Sequence, residues 1–225
     1  MTQPQGTSGS VGALRSRVKP WVAEALGRSA QLGFLGGMSV GDQIDHALGF
    51  VHAAESRMEE PPAAVVDLGS GGGVPGLVLV SCWSGSRILL IESNERRAEF
   101  LLDECSGRAG TGKVEVLHSR AEDAAHAASF REKFDLVTSR SFGAPAVAAE
   151  CGAPFLAVGG LMVVSEPPDS DGGRWPSDAL TPLGIEPSTR LRFNDSFGYQ
   201  VLTKFQETPD RFPRRVGVPA KRPLF

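Results

Sequence analysis

The sequence has few cysteines and no long apolar segment. Its three cysteines, Cys82, Cys105 and Cys151, are far apart and lack the short spacings of a metal site or a disulfide framework. We expect them to be reduced thiols, which is typical of a cytoplasmic protein. No run approaches the roughly 20 apolar residues of a membrane-spanning helix, and the amino terminus lacks the pattern of a signal peptide. The sequence therefore predicts a cytoplasmic protein with no metal site and no membrane partner.

The sequence also lacks internal repeats and a strong overall charge. The net charge of -3 conceals an asymmetry, because six basic and two acidic residues from Lys204 onward give that segment +4 and leave -7 elsewhere. A basic segment on an acidic body indicates a localised anionic partner such as RNA. A tail that is merely solvated is the alternative. The candidate RNA contacts in this tail are Arg214, Arg215, Lys221 and Arg222.

The length and the 41% hydrophobic content predict one domain with an extra segment. Residues 1–12 are rich in Gly, Ser, Thr and Gln, and we expect them to be disordered. Residues 13–60 have helical apolar spacing with a break at Pro20, and Ser39-x-x-Asp42 resembles a capping box that begins a helix. Residues 61–208 would form the main domain, and residues 209–225 the basic carboxy-terminal tail.

From residue 63 onward, short apolar runs alternate with helical patterns. This alternation predicts a doubly wound, mostly parallel α/β sheet, with ligands at the carboxyl ends of its strands. The last two predicted strands would form an antiparallel hairpin at the sheet edge. The predicted strands cover residues 63–68, 87–92, 113–118, 134–139, 160–165, 188–194 and 198–206. The predicted helices cover residues 75–83, 94–108, 121–129 and 145–157.

A glycine-rich turn, residues 69–76, follows the first predicted strand. Asp67 ends that strand, Gly69 and Gly71 open the turn, and Glu92 ends the next strand about twenty residues later, where an acid can bind ribose hydroxyls. A nicotinamide dinucleotide and S-adenosylmethionine both fit this pattern, and a purely structural turn is the third interpretation. An acid before three consecutive glycines favours S-adenosylmethionine, because its methionine end carries an ammonium group. Arg140, at the end of a later strand, could pair with a carboxylate.

With these residues in place, the chain resembles the small-subunit (16S) rRNA methyltransferase G family, also called glucose-inhibited division protein B. The resemblance covers about residues 40 to 225. The matching text is Asp67-Leu-Gly-Ser-Gly-Gly-Gly-Val-Pro-Gly76, Glu92-Ser-Asn-Glu-Arg-Arg97, Ser119-Arg-Ala-Glu122, Phe134 through Phe142, and Phe212 through Leu224. The resemblance implies a Rossmann-like class I S-adenosylmethionine-dependent methyltransferase that methylates N7 of a guanosine in 16S rRNA. It also implies cofactor contacts at Gly69, Val74, Ala121, Glu122 and Arg140.

The resemblance implies further RNA candidates and shows two departures. His46 falls where the family carries a histidine, and Arg120 is a candidate because guanine must be presented out of stacked RNA by basic and aromatic groups. Where the family commonly has Asp-Ser after the histidine motif, this chain has Gly49-Phe50. Where the family often has Lys-Gly after the fifth strand, this chain has Ser165-Glu166, which reverses a charge near the expected RNA.

Several alternatives stay open at this point. The chain could methylate a different RNA or a small molecule with the same cofactor, act as a nicotinamide-dependent oxidoreductase, or be an RNA-binding relative without turnover. The edge hairpin argues against the oxidoreductase. The expected partner is 16S rRNA or the small ribosomal subunit, and a monomer is favoured.

Overall fold

The structure, a computed structural model, describes residues 8–107 and 113–225. Its centre is one seven-stranded sheet. The strands are β1 (Ala64–Leu68), β2 (Arg87–Glu92), β3 (Val114–His118), β4 (Phe134–Ser139), β5 (Leu156–Glu166), β6 (Ile185–Phe193) and β7 (Phe197–Lys204). All seven predicted strands are confirmed, and the largest difference is that β5 begins earlier than expected.

The strand order is β3-β2-β1-β4-β5-β7-β6. The pairs from β3 to β5 are parallel, whereas β7 runs antiparallel to both β5 and β6. The predicted doubly wound sheet with an antiparallel edge hairpin is therefore confirmed. Because β1 lies between β2 and β4, the carboxyl end of β1 meets the crevice where the strand order reverses, which is the usual ligand position in such sheets.

The helices cover both faces of the sheet. They are α1 (Ser8–Arg15), α2 (Pro20–Gln31), α3 (Val40–Glu55), α4 (Gly76–Cys82), α5 (Glu95–Cys105), α6 (Ala121–Ala124), α7 (Pro145–Gly152), α8 (Ser177–Leu180) and α9 (Val218–Lys221). Side chains of a strand alternate between faces, so Val65 packs in the core under α2 to α5, and Val66 packs in the core under α6 to α8. Within the described ranges, no helix is long and apolar enough to cross a membrane.

The amino-terminal helices share a core with the sheet. Leu14 of α1 and Phe50 of α3 belong to the same buried cluster as Val65, and Arg15 pairs with the buried Asp45 through two hydrogen bonds of 2.6 and 2.5 Å. The predicted disorder over residues 1–12 lies partly outside the described residues, which begin at residue 8. From there the prediction is wrong, because residues 8–12 are helical and lead into the packing of Leu14.

The local signals at two helix ends give the expected structure. Ser39 caps α3, and its hydroxyl accepts a hydrogen bond of 3.1 Å from the Asp42 amide. The chain between α1 and α2 breaks as predicted, and Pro20 begins α2. Two predicted helices are too long: the helix from residue 121 ends at Ala124, and the one from residue 145 ends at Gly152. A 3-10 turn containing Pro154 follows Gly152, because proline cannot continue an α-helix.

Candidate functional site

The glycine turn lies at the carboxyl end of β1. Gly69 and Gly71 have φ values of +62° and +56°, in the left-handed region that side chains other than glycine rarely adopt. The Ser70 amide donates a hydrogen bond of 2.9 Å to the Ile91 carbonyl of β2. The turn is therefore tied to the neighbouring strand, and its backbone faces the crevice without a side chain at its first position.

Asp67 is completely buried behind this turn. Its Oδ1 accepts a hydrogen bond of 2.7 Å from the Thr138 hydroxyl of β4, whereas its Oδ2 has no hydrogen-bond partner among the described residues. Burial raises the pKa of Asp67 to about 6, although polar contacts with Thr138, Ser70 and the Gly76 backbone and the charge of Arg140 oppose this shift. Buried polar atoms are normally paired, so the unpaired oxygen is a ready acceptor for a cationic or hydrogen-bond-donating ligand group.

Glu92 joins the glycine turn to the chain after β2. Its Oε2 accepts a hydrogen bond of 2.8 Å from the Gly71 amide, and its Oε1 accepts one of 2.7 Å from the Asn94 amide. The side chain is buried. Each carboxylate oxygen has a second lone pair, so Glu92 can hold the turn and still accept hydrogen bonds from a ligand.

A cavity of about 220 Å³, here called the tail-side cavity, opens beside the turn. Three of the predicted cofactor residues, Gly69, Ala121 and Glu122, line it together, whereas the buried Val74 packs in the core under α4 and α5. The lining is Gly69, Ile91, Ser93, Ser119, Arg120, Ala121, Glu122, Phe142, Val147, Cys151, Val216, Gly217 and Ala220. The carboxy-terminal tail thus forms one wall of this cavity, which the sequence did not indicate.

The tail is fixed to the domain by buried contacts. The Arg214 guanidinium donates two hydrogen bonds, of 2.8 and 2.6 Å, to the fully buried carboxylate of Glu150 in α7. The Gly217 amide donates one of 3.0 Å to Glu122, and Phe212 is buried. Arg214, which the sequence predicts to contact RNA, has its guanidinium engaged with Glu150, and its contact with RNA stays a prediction. Arg215, Lys221 and Arg222 are exposed, as is Arg120, so their predicted roles stay predictions.

Arg140 follows β4 and is half-buried close to Asp67. Its nearest polar contact is the Met38 sulfur, 3.9 Å from Nη2, and it has no ion-pair partner in the described part of the chain. Burial lowers the pKa of the guanidinium, but an arginine stays charged. The structure therefore holds an unpaired, partly desolvated cation at the carboxyl edge of the sheet.

His46 lies in an aromatic cluster and is not a simple surface residue. Its ring stacks on Phe197 with centroids 4.6 Å apart and an interplanar angle of 8°, and its Nδ1 is buried without a hydrogen-bond partner among the described residues. Burial, reinforced by the charge of Arg140, lowers the pKa of His46 to about 3. The imidazole is therefore neutral at neutral pH, and its predicted contact with RNA stays a prediction.

The departure at Gly49 has a steric explanation. A Cβ at this position would lie 2.1 Å from the Tyr199 hydroxyl oxygen. That hydroxyl donates a hydrogen bond of 2.6 Å to the His46 carbonyl, and the Tyr199 ring packs edge-on against Phe50. Tyr199 therefore fills the space beside α3 that a side chain at residue 49 would need.

A second cavity, of about 260 Å³ and here called the loop-side cavity, lies on the other side of Phe142. It is lined by Ser139, Ser141, Phe142, Gly143, Pro145, Val164, Ser165, Glu166, Pro167, Arg174 and Trp175. Arg174 and Trp175 were missed by the sequence analysis. Their only signal is an isolated Arg-Trp pair within a loop otherwise rich in Pro, Gly and Asp.

Comparison with known proteins gives consistent results. Residues 44–166 match the profile of the family described as rRNA small subunit methyltransferase G. The protein named ribosomal RNA small subunit methyltransferase G from Pelotomaculum thermopropionicum is 34% identical over 187 residues, covering 80% of this chain and 78% of the relative. The protein of the same name from Moorella thermoacetica is 36% identical over 174 residues, covering 74% and 72%.

Solved structures show the fold. An O-methyltransferase from Bacillus cereus in complex with SAH has a TM-score of 0.58 at 15% identity, covering 83% of this chain and 91% of its own. The fibrillarin pre-rRNA processing protein of Methanococcus jannaschii has a TM-score of 0.52 at 17% identity, covering 69% and 75%. At these identities the likeness establishes the Rossmann-like methyltransferase fold and carries no further argument.

Proposed function

The chain belongs to the rRNA small subunit methyltransferase G family, and from this premise we propose that it methylates N7 of a guanine in 16S rRNA with S-adenosylmethionine as methyl donor. One observation carries the assignment of the cofactor site: the buried Oδ2 of Asp67 has no hydrogen-bond partner among the described residues and lies behind a turn in which Gly69 and Gly71 have positive φ values. A methionine ammonium group would supply the missing hydrogen-bond donor, and its charge would favour the ionised form of Asp67.

The other predicted cofactor residues fit the remaining parts of the same ligand. Arg140 would pair with the methionine carboxylate, since its guanidinium has no ion-pair partner within the described ranges and lies near Asp67. Glu92 would bind the ribose hydroxyls with its free lone pairs. Ala121 and Glu122 line the tail-side cavity, which would receive the adenine. Val74 would act through packing, because it is buried in the core.

The proposed reaction needs no general base. S-adenosylmethionine, held by Asp67, Glu92 and Arg140, would supply an activated methyl group to the lone pair of guanine N7, and its sulfur would take the electrons of the carbon–sulfur bond. N7 carries no proton that must be removed. His46, which is neutral at neutral pH, is therefore not required as a base, and the residues of the site act mainly by positioning the reactants.

RNA would approach over the rim of the tail-side cavity. Arg120 lies at this cavity, and Arg215, Lys221 and Arg222 are exposed on the tail that forms its wall. Basic side chains of this kind contact phosphates without reading sequence. They would hold the rRNA over the site, whereas selection of guanine requires contacts to the base itself.

The test is transfer of a labelled methyl group from S-adenosylmethionine to 16S rRNA and to assembled small subunits. We expect label in one guanine, which mapping of 7-methylguanine by borohydride and aniline cleavage would identify. Cofactor binding without transfer to either substrate would support a non-catalytic RNA-binding relative. Transfer to a different RNA or to a small molecule, but not to 16S rRNA, would replace the proposed substrate. Binding of NADH in place of S-adenosylmethionine would overturn the proposal.

A further inference from the structure

We propose that the loop-side cavity receives the target guanine and that Glu166 recognises its Watson–Crick edge. The inference deepens the proposed function and rests on it, because the occupant is taken to be the guanine that is methylated. Glu166 ends β5, and Arg174 and Trp175 lie in the loop before α8, outside the motifs that the sequence assigns to the cofactor.

Phe142 connects this cavity to the cofactor site. Its half-buried side chain lines both the loop-side and the tail-side cavity. A Cβ on Gly69 would lie 2.7 Å from Phe142 Cδ2, so the ring lies directly over the glycine turn. A planar base in the loop-side cavity would therefore be adjacent to the turn that we assign to the methionine end, within reach of an aromatic face.

Two polar groups in the cavity wall lack partners. The Ser139 hydroxyl and the Trp175 indole N–H belong to side chains that are only 1% and 2% exposed, and neither has a hydrogen-bond partner among the described residues. Such groups are rare in folded proteins. The hydroxyl can donate or accept, and the indole can only donate. A ligand atom that accepts hydrogen bonds, such as guanine O6, would satisfy them.

Glu166 provides the acceptors for the other atoms of the same edge. Its side chain is 5% exposed, and its oxygens accept hydrogen bonds of 2.9 and 3.0 Å from one Arg174 nitrogen. An ionised carboxylate has about four lone-pair positions, so both oxygens can each accept one further bond. Guanine presents two adjacent donors, N1–H and the 2-amino group. Adenine has an acceptor at N1 and would leave the carboxylate unpaired.

The geometry of the base agrees with the reaction. N7 lies on the edge of the purine opposite to N1 and the 2-amino group. A base held by Glu166 at its Watson–Crick edge would therefore keep N7 free to face the methyl donor. The bidentate contact selects guanine, whereas phosphate contacts elsewhere carry no sequence information.

Arg174 makes this carboxylate compatible with RNA. An unpaired acid at this position would repel phosphates. The Arg174 side chain is 46% exposed and lies against Glu166, so it offsets the negative charge and presents part of its guanidinium to solvent. The charge reversal noted in the sequence is therefore compensated locally, eight residues further along the chain.

The experiment compares two substrates and three proteins. The first substrate is a 16S rRNA fragment containing the guanine that the wild-type protein methylates, and the second has inosine at that position. Inosine retains N7, O6 and N1–H and lacks only the 2-amino group. The proteins are wild type, Glu166→Gln, and Arg174→Gln as the matched control, which breaks the same ion pair and keeps the carboxylate.

For the wild-type protein, we expect inosine to lower kcat/KM by roughly ten- to a hundredfold, the value of a hydrogen bond to a charged group. Glu166→Gln should lose a similar factor on guanine and should distinguish guanine from inosine less well, because its amide keeps only one acceptor oxygen. Arg174→Gln should retain the guanine-to-inosine ratio even if its rate changes. S-adenosylmethionine affinity, measured by calorimetry, should be the same in all three proteins, which also verifies that the variants are folded.

The outcomes separate the two proposals. No transfer to rRNA by the wild-type protein overturns the proposed function and the guanine pocket with it. If the wild-type protein methylates rRNA but has the same guanine-to-inosine ratio of kcat/KM as Glu166→Gln, only the guanine pocket is overturned. The guanine pocket is also overturned if the guanine-to-inosine ratio of kcat/KM falls in Arg174→Gln as much as in Glu166→Gln. Glu166 would then act only by holding the loop through the ion pair.

Discussion

The two cavities that meet at Phe142 are built from different kinds of chain segment. The tail-side cavity is lined by the glycine turn, the ends of β2 and β3, and residues of α6 and α7, with the tail as its outer wall. The loop-side cavity depends on Glu166, Arg174 and Trp175, which lie at the end of β5 and in the loop before α8. Under the proposed function, the first receives the adenine of the cofactor. The second uses positions that are free to differ between substrates.

The two cavities also differ in whether their buried polar groups are hydrogen-bonded. Polar groups of the tail-side cavity are hydrogen-bonded into the fold, as Glu122 is to Gly217. The loop-side cavity keeps two buried polar groups without partners among the described residues, on Ser139 and Trp175. Unsatisfied buried groups cost about 1–3 kcal/mol each. A cost of this size is best explained by a ligand that removes it on binding.

If the two cavities form one reaction site, a change that displaces Phe142, which lines both, must damage both. Gly69→Val would impose a side chain at φ +62° and place its Cβ 2.7 Å from Phe142. Such backbone strain costs on the order of 1–3 kcal/mol, and displacement of the ring adds to it. We expect S-adenosylmethionine binding, measured by calorimetry, and methyl transfer to rRNA both to be lost.

Gly159→Val is the matched control for that change. Gly159 has φ +90° and no atom within 4 Å of an added Cβ, so the variant introduces comparable backbone strain away from both cavities. It should lower the free energy of unfolding and leave cofactor binding intact. Equal cofactor affinities in the two variants would show that Gly69 is needed for folding alone.

The fold was predictable because its signals are local. The apolar runs of β1, β2 and β4 are each bounded within one residue of their observed ends, since a strand buried on both faces is a continuous apolar segment. Asp67, Gly69 and Glu92 could be located in the same way, because each lies at the end of a strand or directly after it. The role of Arg214 could not, because its partner Glu150 is 64 residues away on a buried helix. Trp175 was missed for the same reason: nothing in the periodicity of a loop indicates which side chain folds inward.

A second prediction tests whether the tail is part of the cofactor site. Arg214→Ala would leave the fully buried Glu150 carboxylate without its cation, which typically costs about 3–5 kcal/mol and here less, because Arg214 is partly exposed. The tail should detach, and the tail-side cavity should lose Val216 and Ala220 from its wall. We expect lower stability in urea and weaker binding of S-adenosylmethionine. Unchanged cofactor affinity together with reduced stability would mean that the tail is not part of the cofactor site.

A third prediction concerns the opposite effects of Asp67 on folding and binding. Its pKa of about 6 in the folded chain exceeds the ordinary value of 3.8. Between these pH values the unfolded chain loses a proton that the folded chain retains. The free energy of unfolding therefore falls as pH rises through this window and stays lower above it. Cofactor affinity should rise over the same range, because ionised Asp67 is the form that attracts an ammonium group.

Asp67→Asn tests both consequences. The variant should remove this pH dependence and raise the free energy of unfolding at pH 7.5 by roughly 1–3 kcal/mol, while weakening S-adenosylmethionine binding by roughly 1.5–3 kcal/mol. Asp135→Asn is the control, because Asp135 belongs to the same sheet but accepts a hydrogen bond from Ala64 away from the turn. Urea unfolding at several pH values and calorimetry give both quantities. A destabilised Asp67→Asn with wild-type cofactor affinity would contradict the assignment.

The smallest effect is expected at the residue next to Arg214. Arg215 is exposed, so Arg215→Ser should alter neither stability nor S-adenosylmethionine affinity. If its guanidinium contacts a phosphate, the log–log dependence of rRNA binding on salt should become shallower by about 0.7–0.9. Adding Lys221→Ser and then Arg222→Ser should reduce the slope by a similar step each time, which filter-binding titrations at several salt concentrations would resolve. Arg214→Ala is expected to weaken cofactor binding, whereas Arg215→Ser is expected to change only the salt dependence of rRNA binding. The two adjacent arginines therefore separate the structural role of the tail from its proposed contact with RNA. Identical slopes for wild type and the triple variant would move the RNA contact away from the tail, to the rim around Arg120.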